Sequence, residues 1–313
     1  MIPTLKDVKE AVKRVKPYVH HTPVLTSTTI NGMLNALVFF KCENFQRMGA
    51  FKFRGAINAI LQLSDEERAR GVITHSSGNF AQALALAARS LETKAYIVMP
   101  SDAPAVKRKA VAGYGAHIIE CAPGLKNRES TMLSQQKKTG ASFIHPSNNI
   151  NVILGNSTAV MEMASEIETM DVVIAPVGGG GLISGTALAT NHLSYYIETI
   201  GAEPFGADDA FLSLKTGKIQ ASINPKTIAD GLKTQLGDLN FPIIQKFVSK
   251  IIRVEESEII ESMKFIWERM KIVIEPSSAV AVAALFRNSS EFKNRRMGVI
   301  LSGGNVDVSK LPF

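Results

Sequence analysis

The sequence predicts an α/β fold with two parallel sheets, and three observations support this. Apolar strand-like segments alternate with helix-like segments along most of the chain, the pattern of parallel sheets with helices on both faces. Some strand-like segments, such as residues 172–175, are continuously apolar, which fits strands buried on both sides. Roughly ten strand–helix units are more than one open sheet usually carries, so we expect two sheets.

Taken in chain order, the elements follow from residue spacing and from breaker residues. Thr4 can cap a first helix over residues 5–15, in which apolar side chains recur at helical spacing. Short apolar runs predict strands, one of them ended by Pro100, and longer amphipathic or alanine-rich stretches predict helices. The predicted strands are residues 37–42, 72–75, 95–99, 117–121, 142–144, 172–176, 197–202 and 297–301. The other predicted helices are residues 53–63, 81–89, 105–112, 128–138, 152–167, 182–190, 255–269 and 277–286.

The order of these elements predicts a large and a small domain. The large domain comprises residues 1–65 and 149–313, and the small domain comprises residues 66–148 between them. In such folds ligands bind at the carboxyl ends of strands, which is where the glycine- and serine-rich segments of this chain fall.

Composition narrows the class of protein. The 313 residues are 45% apolar, enough for a sizeable core, and 35 Lys+Arg against 28 Asp+Glu give a net charge of +7. The excess is dispersed and has no zinc-finger or RNA-binding signature, so we expect no nucleic-acid partner. Cys42 and Cys121 imply no disulfide framework, and the chain shows neither a signal-peptide core nor a membrane-length apolar run. We therefore expect a cytoplasmic protein without a membrane partner.

Lys52 stands between Phe51 and Phe53. Desolvation among apolar side chains disfavours the charged form of a lysine amine, and the neutral amine is a nucleophile that forms Schiff bases with aldehydes. Ordinary packing, with the amine reaching solvent, is the alternative for Lys52 considered alone. The chemical interpretation therefore requires that other segments supply a site for a carbonyl cofactor.

Gly178, Gly179, Gly180 and Gly181 follow a predicted strand and open a helix. Such glycines let the backbone approach an anion, and a helix N-terminus adds favourable charge, so a phosphate site is predicted. A tight turn alone needs only one or two glycines. A dinucleotide fold remains the competing function, because the glycine spacing nearly matches its fingerprint and Glu203 ends the next strand.

Two polar turns also follow predicted strands. Residues 76–79 (Ser-Ser-Gly-Asn) open a helix and suit a carboxylate or a ring oxygen, although helix capping by Ser77 or Asn79 is the better explanation when the segment is taken alone. Residues 302–305 (Ser-Gly-Gly-Asn) either offer a hydroxyl to a ligand or form a plain turn.

Glu203 and Asp209 lie six residues apart around a turn. Together with a backbone carbonyl they would suit a hard cation such as Mg²⁺, whereas a solvated acidic loop is the simpler explanation from the spacing. The scattered histidines and the absence of a G-x-S-x-G sequence argue against a zinc hydrolase and a serine hydrolase.

Taken together, the segments resemble the fold-type II pyridoxal-phosphate enzymes, most closely the serine racemase and serine/threonine dehydratase group. They match it in order along almost the whole chain, and it is the ordered set that is specific. The matching segments are residues 21–25, 51–56, 76–79, 176–181, 227–231, 267–271, 274–276 and 302–305.

The resemblance implies a role for each matching residue. Lys52 would carry pyridoxal 5'-phosphate as a Schiff base and act as the base on one cofactor face, with Ser77 as the base on the other. The implied cofactor-binding residues are Phe51, Lys52, Asn79, Gly178, Gly179, Gly180, Gly181, Leu182 and Ser302. The implied substrate-binding residues are Ser76, Ser77, Gly78 and Asn79, with Arg128 for a second carboxylate. The implied ligands of Mg²⁺ or Ca²⁺ are Glu203, the Ala207 carbonyl and Asp209.

The resemblance also implies the chemistry. Lys52 removes the Cα proton, and the cofactor serves as the electron sink. Ser302, a neutral residue at the pyridine nitrogen, favours prompt loss of a β-hydroxyl, which yields a 2-oxo acid and ammonia. Reprotonation from Ser77 would instead give the D-amino acid.

Four positions depart from the group's pattern. Ala50 replaces a usual serine and Phe80 a histidine or small polar residue, so we expect a more apolar pocket rim that favours a bulkier β-hydroxy amino acid over serine. Residues 155–158 read Gly-Asn-Ser-Thr in place of Gly-Gln-Gly-Thr. Met48 replaces a polar residue of the racemase nucleotide site, so we do not expect ATP to be an activator. The nucleotide-site positions that do match are Tyr114, Lys271 and Asn305.

The resemblance thus implies a pyridoxal-phosphate-dependent ammonia-lyase that acts on a small β-hydroxy amino acid such as L-serine or L-threonine, with serine racemase activity as a further expectation. A homodimer is expected from the family alone. One alternative is a racemase with minor dehydratase activity. A non-catalytic protein that binds pyridoxal phosphate or an amino acid is the alternative of another class, against which Lys52, Ser77 and Ser302 argue. A dinucleotide oxidoreductase ranks last because it leaves Lys52 unexplained.

Overall fold

Two sheets organise the chain, which a computed structural model describes for residues 2–103 and 105–313. The larger sheet has the strand order β1-β2-β10-β7-β8-β9 and the smaller has the order β5-β4-β3-β6. All pairs are parallel except β1 with β2. The strands are β1 (Val24–Leu25), β2 (Leu37–Cys42), β3 (Val72–His75), β4 (Ala95–Pro100), β5 (His117–Cys121), β6 (Ser142–Phe143), β7 (Val172–Pro176), β8 (Glu198–Pro204), β9 (Lys250–Val254) and β10 (Arg296–Leu301).

Helices connect the parallel strands. They are α1 (Leu5–Val15), α2 (Thr28–Leu34), α3 (Lys52–Leu61), α4 (Asp65–Arg70), α5 (Asn79–Ser90), α6 (Ala105–Gly113), α7 (Leu125–Thr139), α8 (Ile150–Ala164), α9 (Gly181–Leu193), α10 (Asp209–Thr216), α11 (Phe241–Phe247), α12 (Glu256–Met270) and α13 (Pro276–Arg287). Successive side chains of a strand point to opposite faces of the sheet, so the apolar strands need helices packed on both faces. In β7, Val172 and Ile174 join one apolar cluster with α12 and α13, while Val173 and Ala175 join another with α8 and α9.

The predicted α/β class with parallel sheets is confirmed, and each predicted helix and strand is present with ends that differ by a few residues. The structure adds β1, β9 and four short helices that were not predicted, namely α2, α4, α10 and α11. These helices have six to eight residues, too few turns for a periodic pattern to emerge. β9 was missed because it begins at Lys250 and Arg253 interrupts its apolar run.

The smaller sheet uses only strands between residues 72 and 143, inside the segment predicted to form the small domain. The domain boundaries at residues 65/66 and 148/149 remain predictions. Within the described ranges, no helix combines the length and the apolar character needed to cross a lipid bilayer.

Helices α3, α8 and α9 pack unusually close together because glycines lie where they cross. A Cβ on Gly55 would lie 2.8 Å from the Val152 carbonyl oxygen, and one on Gly185 would lie 2.7 Å from the Ile153 carbonyl oxygen. A Cβ on Gly155 would overlap the Arg54 carbonyl oxygen. The three backbones therefore touch directly, which fixes the start of α3 relative to the start of α9.

A buried ion network ties α3 to α8 and β2. The Arg54 guanidinium donates to Glu43 at 2.7 and 2.8 Å and to Glu162 at 2.9 and 3.1 Å. Lys41 donates to Glu162 at 2.7 Å, and Arg54, Lys41 and Glu43 are fully buried. Two cations and two carboxylates balance each other, and Thr22 adds a bond to Glu43 at 2.6 Å, so no charge in the network is left unpaired.

We expect Gly155→Ala to destabilise the protein by about 2–3 kcal/mol, because the added methyl group must force α8 away from α3. Gly32→Ala is the matched control. A Cβ on Gly32, in α2, meets no described atom within 4 Å, so alanine there should be neutral or stabilising by about 0.5–1 kcal/mol. Urea unfolding of both variants measures the difference, and equal effects would contradict the close-packing argument.

Candidate functional site

Lys52 is the first residue of α3, which two 3₁₀ turns (Glu43–Phe45 and Arg47–Gly49) separate from the end of β2. Its Nζ lies 4.9 Å from the Phe51 ring centroid and 5.9 Å from that of Phe80, and it donates to the Pro146 carbonyl oxygen at 3.2 Å. Burial lowers the pKa of Lys52 to about 8, against a smaller opposing effect of the Glu275 charge. The structure therefore places the Lys52 amine among aromatic side chains with a lowered pKa, and its role as a nucleophile stays a prediction.

Backbone pairing brings the end of β10 to Lys52. Phe51 N donates to the Ser302 carbonyl oxygen at 3.0 Å, and Gly304 N donates to the Gly49 carbonyl oxygen at 2.9 Å. Ala50 forms an isolated antiparallel bridge with Gly303 between these bonds. Ser302 is 3% exposed, so it belongs to a buried wall beside Lys52 and not to an exposed turn.

The four glycines form the turn between β7 and α9. Gly180 has φ = 83°, in the left-handed region, and precedes the first residue of α9. A Cβ on Gly178 would lie 2.9 Å from the Gly231 carbonyl oxygen, and one on Gly181 would lie 3.0 Å from Ser147 Cα. Side chains are thus excluded around the turn, and the first N–H groups of α9 have no partner within their own helix. This is the arrangement expected of a phosphate site.

The Ser-Ser-Gly-Asn turn precedes α5, and its side chains do not cap that helix. Gly78 is the cap residue, without a side-chain cap bond, and the Ser76 hydroxyl accepts a hydrogen bond from Gly78 N at 3.4 Å. Asn79 Nδ2 donates to both carboxylate oxygens of Glu275, at 2.9 and 3.1 Å. The helix-capping explanation for Ser77 and Asn79 is therefore wrong, and the Ser77 hydroxyl is not consumed by the helix.

Glu275 is a site residue to which the sequence gave no role. It is 4% exposed, and burial raises its pKa to about 7, partly offset by the bond from Asn79. Asn305 Nδ2 donates to Asn79 Oδ1 at 3.0 Å. The Asn79 amide is thus oriented from both ends, and its position relative to Lys52 is fixed by the large sheet.

Two histidines were also missed. His75 ends β3, stacks on Phe143 at 5.5 Å and meets the His145 ring edge-on at 5.8 Å. Burial, followed by the positive charge of Arg128, lowers the pKa of His75. Arg128 lies in the first turn of α7, the helix that packs against β3. Scattered histidines give no sequence signal for this cluster, because the positions meet only when β3 and β6 pair.

Glu203 and Asp209 are buried, 0% and 3% exposed, so the solvated-loop explanation is wrong. The Glu203 carboxylate accepts from Ala210 N at 3.1 Å and Phe211 N at 2.7 Å, which occupies it at the start of α10 and argues against a ribose contact. Neither Asp209 oxygen has a donor in hydrogen-bonding geometry among the residues that the structure describes. Burial raises the pKa of Glu203, to which Asp209 adds repulsion, and burial raises that of Asp209 to about 6.

The chain is similar to known proteins over nearly its whole length. The family described as "Pyridoxal-phosphate dependent enzyme" matches residues 15–303. The chain is 48% identical to "Serine racemase" of Dictyostelium discoideum, covering 98% of this chain and 96% of that protein. It is 46% identical to "beta-hydroxyaspartate dehydratase" of Paracoccus denitrificans, covering 100% and 99%. The solved structure of a threonine deaminase from T.th. has a TM-score of 0.94 at 38% identity, covering 98% of this chain and 100% of that one.

The pKa of Lys52 predicts a pH-dependent gain in stability for Lys52→Met in the protein freed of any cofactor. Because the folded pKa of about 8 lies below the ordinary 10.5, the unfolded state binds more protons between these values. Charged Lys52 destabilises the wild-type protein by about 3 kcal/mol below pH 8, and this penalty is lost as the pH rises toward 10.5. The unfolding free energies of the wild type and Lys52→Met should therefore converge at high pH. Lys6→Met, which changes an exposed lysine, is the control. A pH-independent gap would contradict the assignment.

Proposed function

Because this chain belongs to the pyridoxal-phosphate dependent enzyme family, we propose that it catalyses β-elimination on a small β-hydroxy amino acid, releasing a 2-oxo acid and ammonia. The observation that carries the proposal is the buried Lys52 amine, with its pKa lowered to about 8, beside the turn that holds Ser77 and Asn79. Relatives named as a racemase, a dehydratase and a deaminase support it, since all three reactions begin at the Cα of an amino acid.

We assign cofactor binding to the residues that surround Lys52. The glycine turn and Leu182 N would hold the phosphate at the start of α9, where the backbone is open to an anion. Ser302 would face the pyridine nitrogen, Asn79 the ring hydroxyl, and Phe51 the ring itself. Bound in this site, pyridoxal phosphate supplies the electron sink that makes a Cα proton removable.

Lys52 is suited to move that proton. An amine with a pKa of about 8 is partly neutral at physiological pH, so Nζ can accept the proton and later release it. The Pro146 carbonyl oxygen, 3.2 Å from Nζ, stabilises the ammonium that forms. Phe51 and Phe80 lie close to the amine and limit its hydration, which favours the lowered pKa.

The turn at residues 76–79 is suited to bind the substrate. The N–H groups of residues 76–79, at the start of α5, suit the α-carboxylate that every amino acid carries. Arg128, which lies near His75, would bind a second carboxylate. Since one close relative is named a β-hydroxyaspartate dehydratase and another an L-threo-3-hydroxyaspartate ammonia-lyase, we propose 3-hydroxyaspartate as the preferred substrate. The buried, apolar Ala50 and Phe80 agree with a substrate bulkier than serine.

We expect kcat/KM to be highest for 3-hydroxyaspartate among L-serine, L-threonine, 3-hydroxyaspartate and 3-phenylserine. Arg128→Gln should lower the value for 3-hydroxyaspartate about tenfold or more, since a charge-assisted bond is lost, and should change that for threonine less than about twofold. Arg108→Gln is the control, because Arg108 pairs with Glu120 at 2.6 Å. A clear lead for serine, or equal losses for both substrates, would sink the specificity proposal.

Racemisation is the second candidate activity. It needs a proton donor on the face of the cofactor opposite Lys52, and the Ser77 hydroxyl is free of helix capping. The relative named "Serine racemase" supports it. Assaying D-serine beside pyruvate in one L-serine reaction separates the two activities and identifies the major one.

We further propose a structural Mg²⁺ or Ca²⁺ held by Glu203, the Ala207 carbonyl and Asp209. The two buried oxygens of Asp209, which make no hydrogen bond of normal geometry within the described part of the chain, fit an oxygen-binding cation, which would also relieve the repulsion with Glu203. The described residues offer no cluster of three or more acidic, histidine or cysteine ligands, so water would complete the coordination.

Millimolar MgCl₂ or CaCl₂ should raise the melting temperature of the wild-type protein, as expected for binding to the folded state alone. Asp209→Asn should abolish that response and, without added cation, be at least as stable as wild type because a buried like-charge contact is removed. Asp208→Asn is the matched control: Asp208 pairs with Arg253 at 2.8 Å, and the response should persist. A cation response in Asp209→Asn would refute the site.

From the family resemblance we also propose that the protein is a homodimer and that it is located in the cytoplasm. Analytical ultracentrifugation of the holoenzyme distinguishes a dimer from a monomer, and cell fractionation tests the location.

A further inference from the structure

A short turn connects the small sheet to α8 and touches both halves of the site. The connection runs from the end of β6 to Asn149, which caps α8 by accepting from Asn151 N and Val152 N. Its residues 146–148, which we name the 146–148 turn, follow His145 directly. The chemistry proposed above does not use His145.

His145 closes the turn through one ring nitrogen. Its Nδ1 accepts hydrogen bonds from Ser147 N at 3.2 Å and Asn148 N at 2.8 Å. Because Nδ1 accepts twice, the ring proton must lie on Nε2. Burial, then the positive charges of His75 and Lys52, lower the pKa of His145 to about 4 against the opposing charge of Asp238, so the ring stays neutral and keeps this tautomer.

The three residues of the turn have different contacts. The Pro146 carbonyl oxygen accepts from Lys52 Nζ at 3.2 Å. Ser147 packs on the glycine turn, since a Cβ on Gly181 would lie 3.0 Å from Ser147 Cα and one on Gly179 3.0 Å from Ser147 Cβ. Asn148 anchors the turn, accepting from Leu239 N at 2.9 Å and donating to Asp238 at 2.7 Å.

We infer that His145 is a positioning residue, whose Nδ1 folds the 146–148 turn so that Pro146 holds the Lys52 amine while Ser147 buttresses the phosphate-binding glycines. The inference rests on the proposed role of Lys52. It connects a residue that follows the small sheet to the two groups proposed to hold the cofactor, the amine and the phosphate turn.

The alternative is that the His145 ring only fills space between His75 and Phe143, which it contacts edge-on at 5.8 and 6.0 Å. Two substitutions distinguish the effect of the aromatic ring from that of the Nδ1 acceptor. His145→Phe keeps the aromatic ring and removes the Nδ1 acceptor. His145→Asn loses the ring but places an amide oxygen near the position of Nδ1 and restores the cap.

We expect His145→Phe to release pyridoxal phosphate from the holoenzyme about fivefold faster or more, because the two hydrogen bonds that close the turn are lost. Its kcat should fall roughly tenfold or more, because a displaced reacting group is costly. KM should change little. His145→Asn should stay within about threefold of wild type in both rates, since one acceptor remains. His117→Phe, on β5, where the ring stacks on Tyr96 at 5.4 Å, is the control and should match wild type.

Wild-type rates in His145→Phe, or losses in His145→Asn as large as in His145→Phe with melting temperatures unchanged, would overturn the inference. A measurement on the wild-type holoenzyme holds even if His145→Phe fails to fold. Hydrogen exchange should find the Ser147 and Asn148 amides protected, and free exchange of both would also overturn it. Cofactor release does not depend on which amino acid is the substrate, so a wrong substrate assignment would leave this test intact.

Discussion

The direct backbone contact among α3, α8 and α9 is the constraint on which the site depends. Gly55, Gly155 and Gly185 remove the side chains that would otherwise hold these helices apart. Lys52 begins α3 and Gly181 begins α9, so the distance between amine and phosphate turn is set by helix packing and not by a loop. A cofactor held at both ends requires that rigidity, because small displacements of reacting groups are costly.

The pKa values of two cations near the start of α3, Arg54 and Lys52, are shifted in opposite directions. Although burial disfavours its charge, the carboxylates of Glu43 and Glu162 hold the pKa of Arg54 above its usual range. Lys52, two residues earlier, receives a backbone carbonyl and two aromatic rings, and its pKa falls to about 8. Arg54 therefore fastens the helix, while Lys52 remains a group that can lose its proton.

The site is assembled where the two sheets meet. Asn79, from the segment carrying the smaller sheet, is held by Glu275, which caps α13, and by Asn305, which follows β10 of the larger sheet. The 146–148 turn makes a second connection, between β6 and the glycine turn. In this second connection the group that meets the Lys52 amine is the neutral Pro146 carbonyl and not a carboxylate, so burial keeps the pKa of Lys52 low.

The sequence by itself determined the alternation of strands and helices, Lys52 among phenylalanines, the glycine turn and the ordered motifs of the family. These are local patterns, readable from periodicity and spacing. Only the tertiary structure decided that Ser77 is not a helix cap, that Glu203 and Asp209 are buried, that Glu275 binds Asn79, and that His145 binds the turn next to Lys52. Burial and hydrogen-bond partners arise between residues far apart in the chain, as with Asn79 and Glu275, so no local pattern encodes them. The short helices were not predicted for a simpler reason: they have too few turns to show a helical period in the sequence.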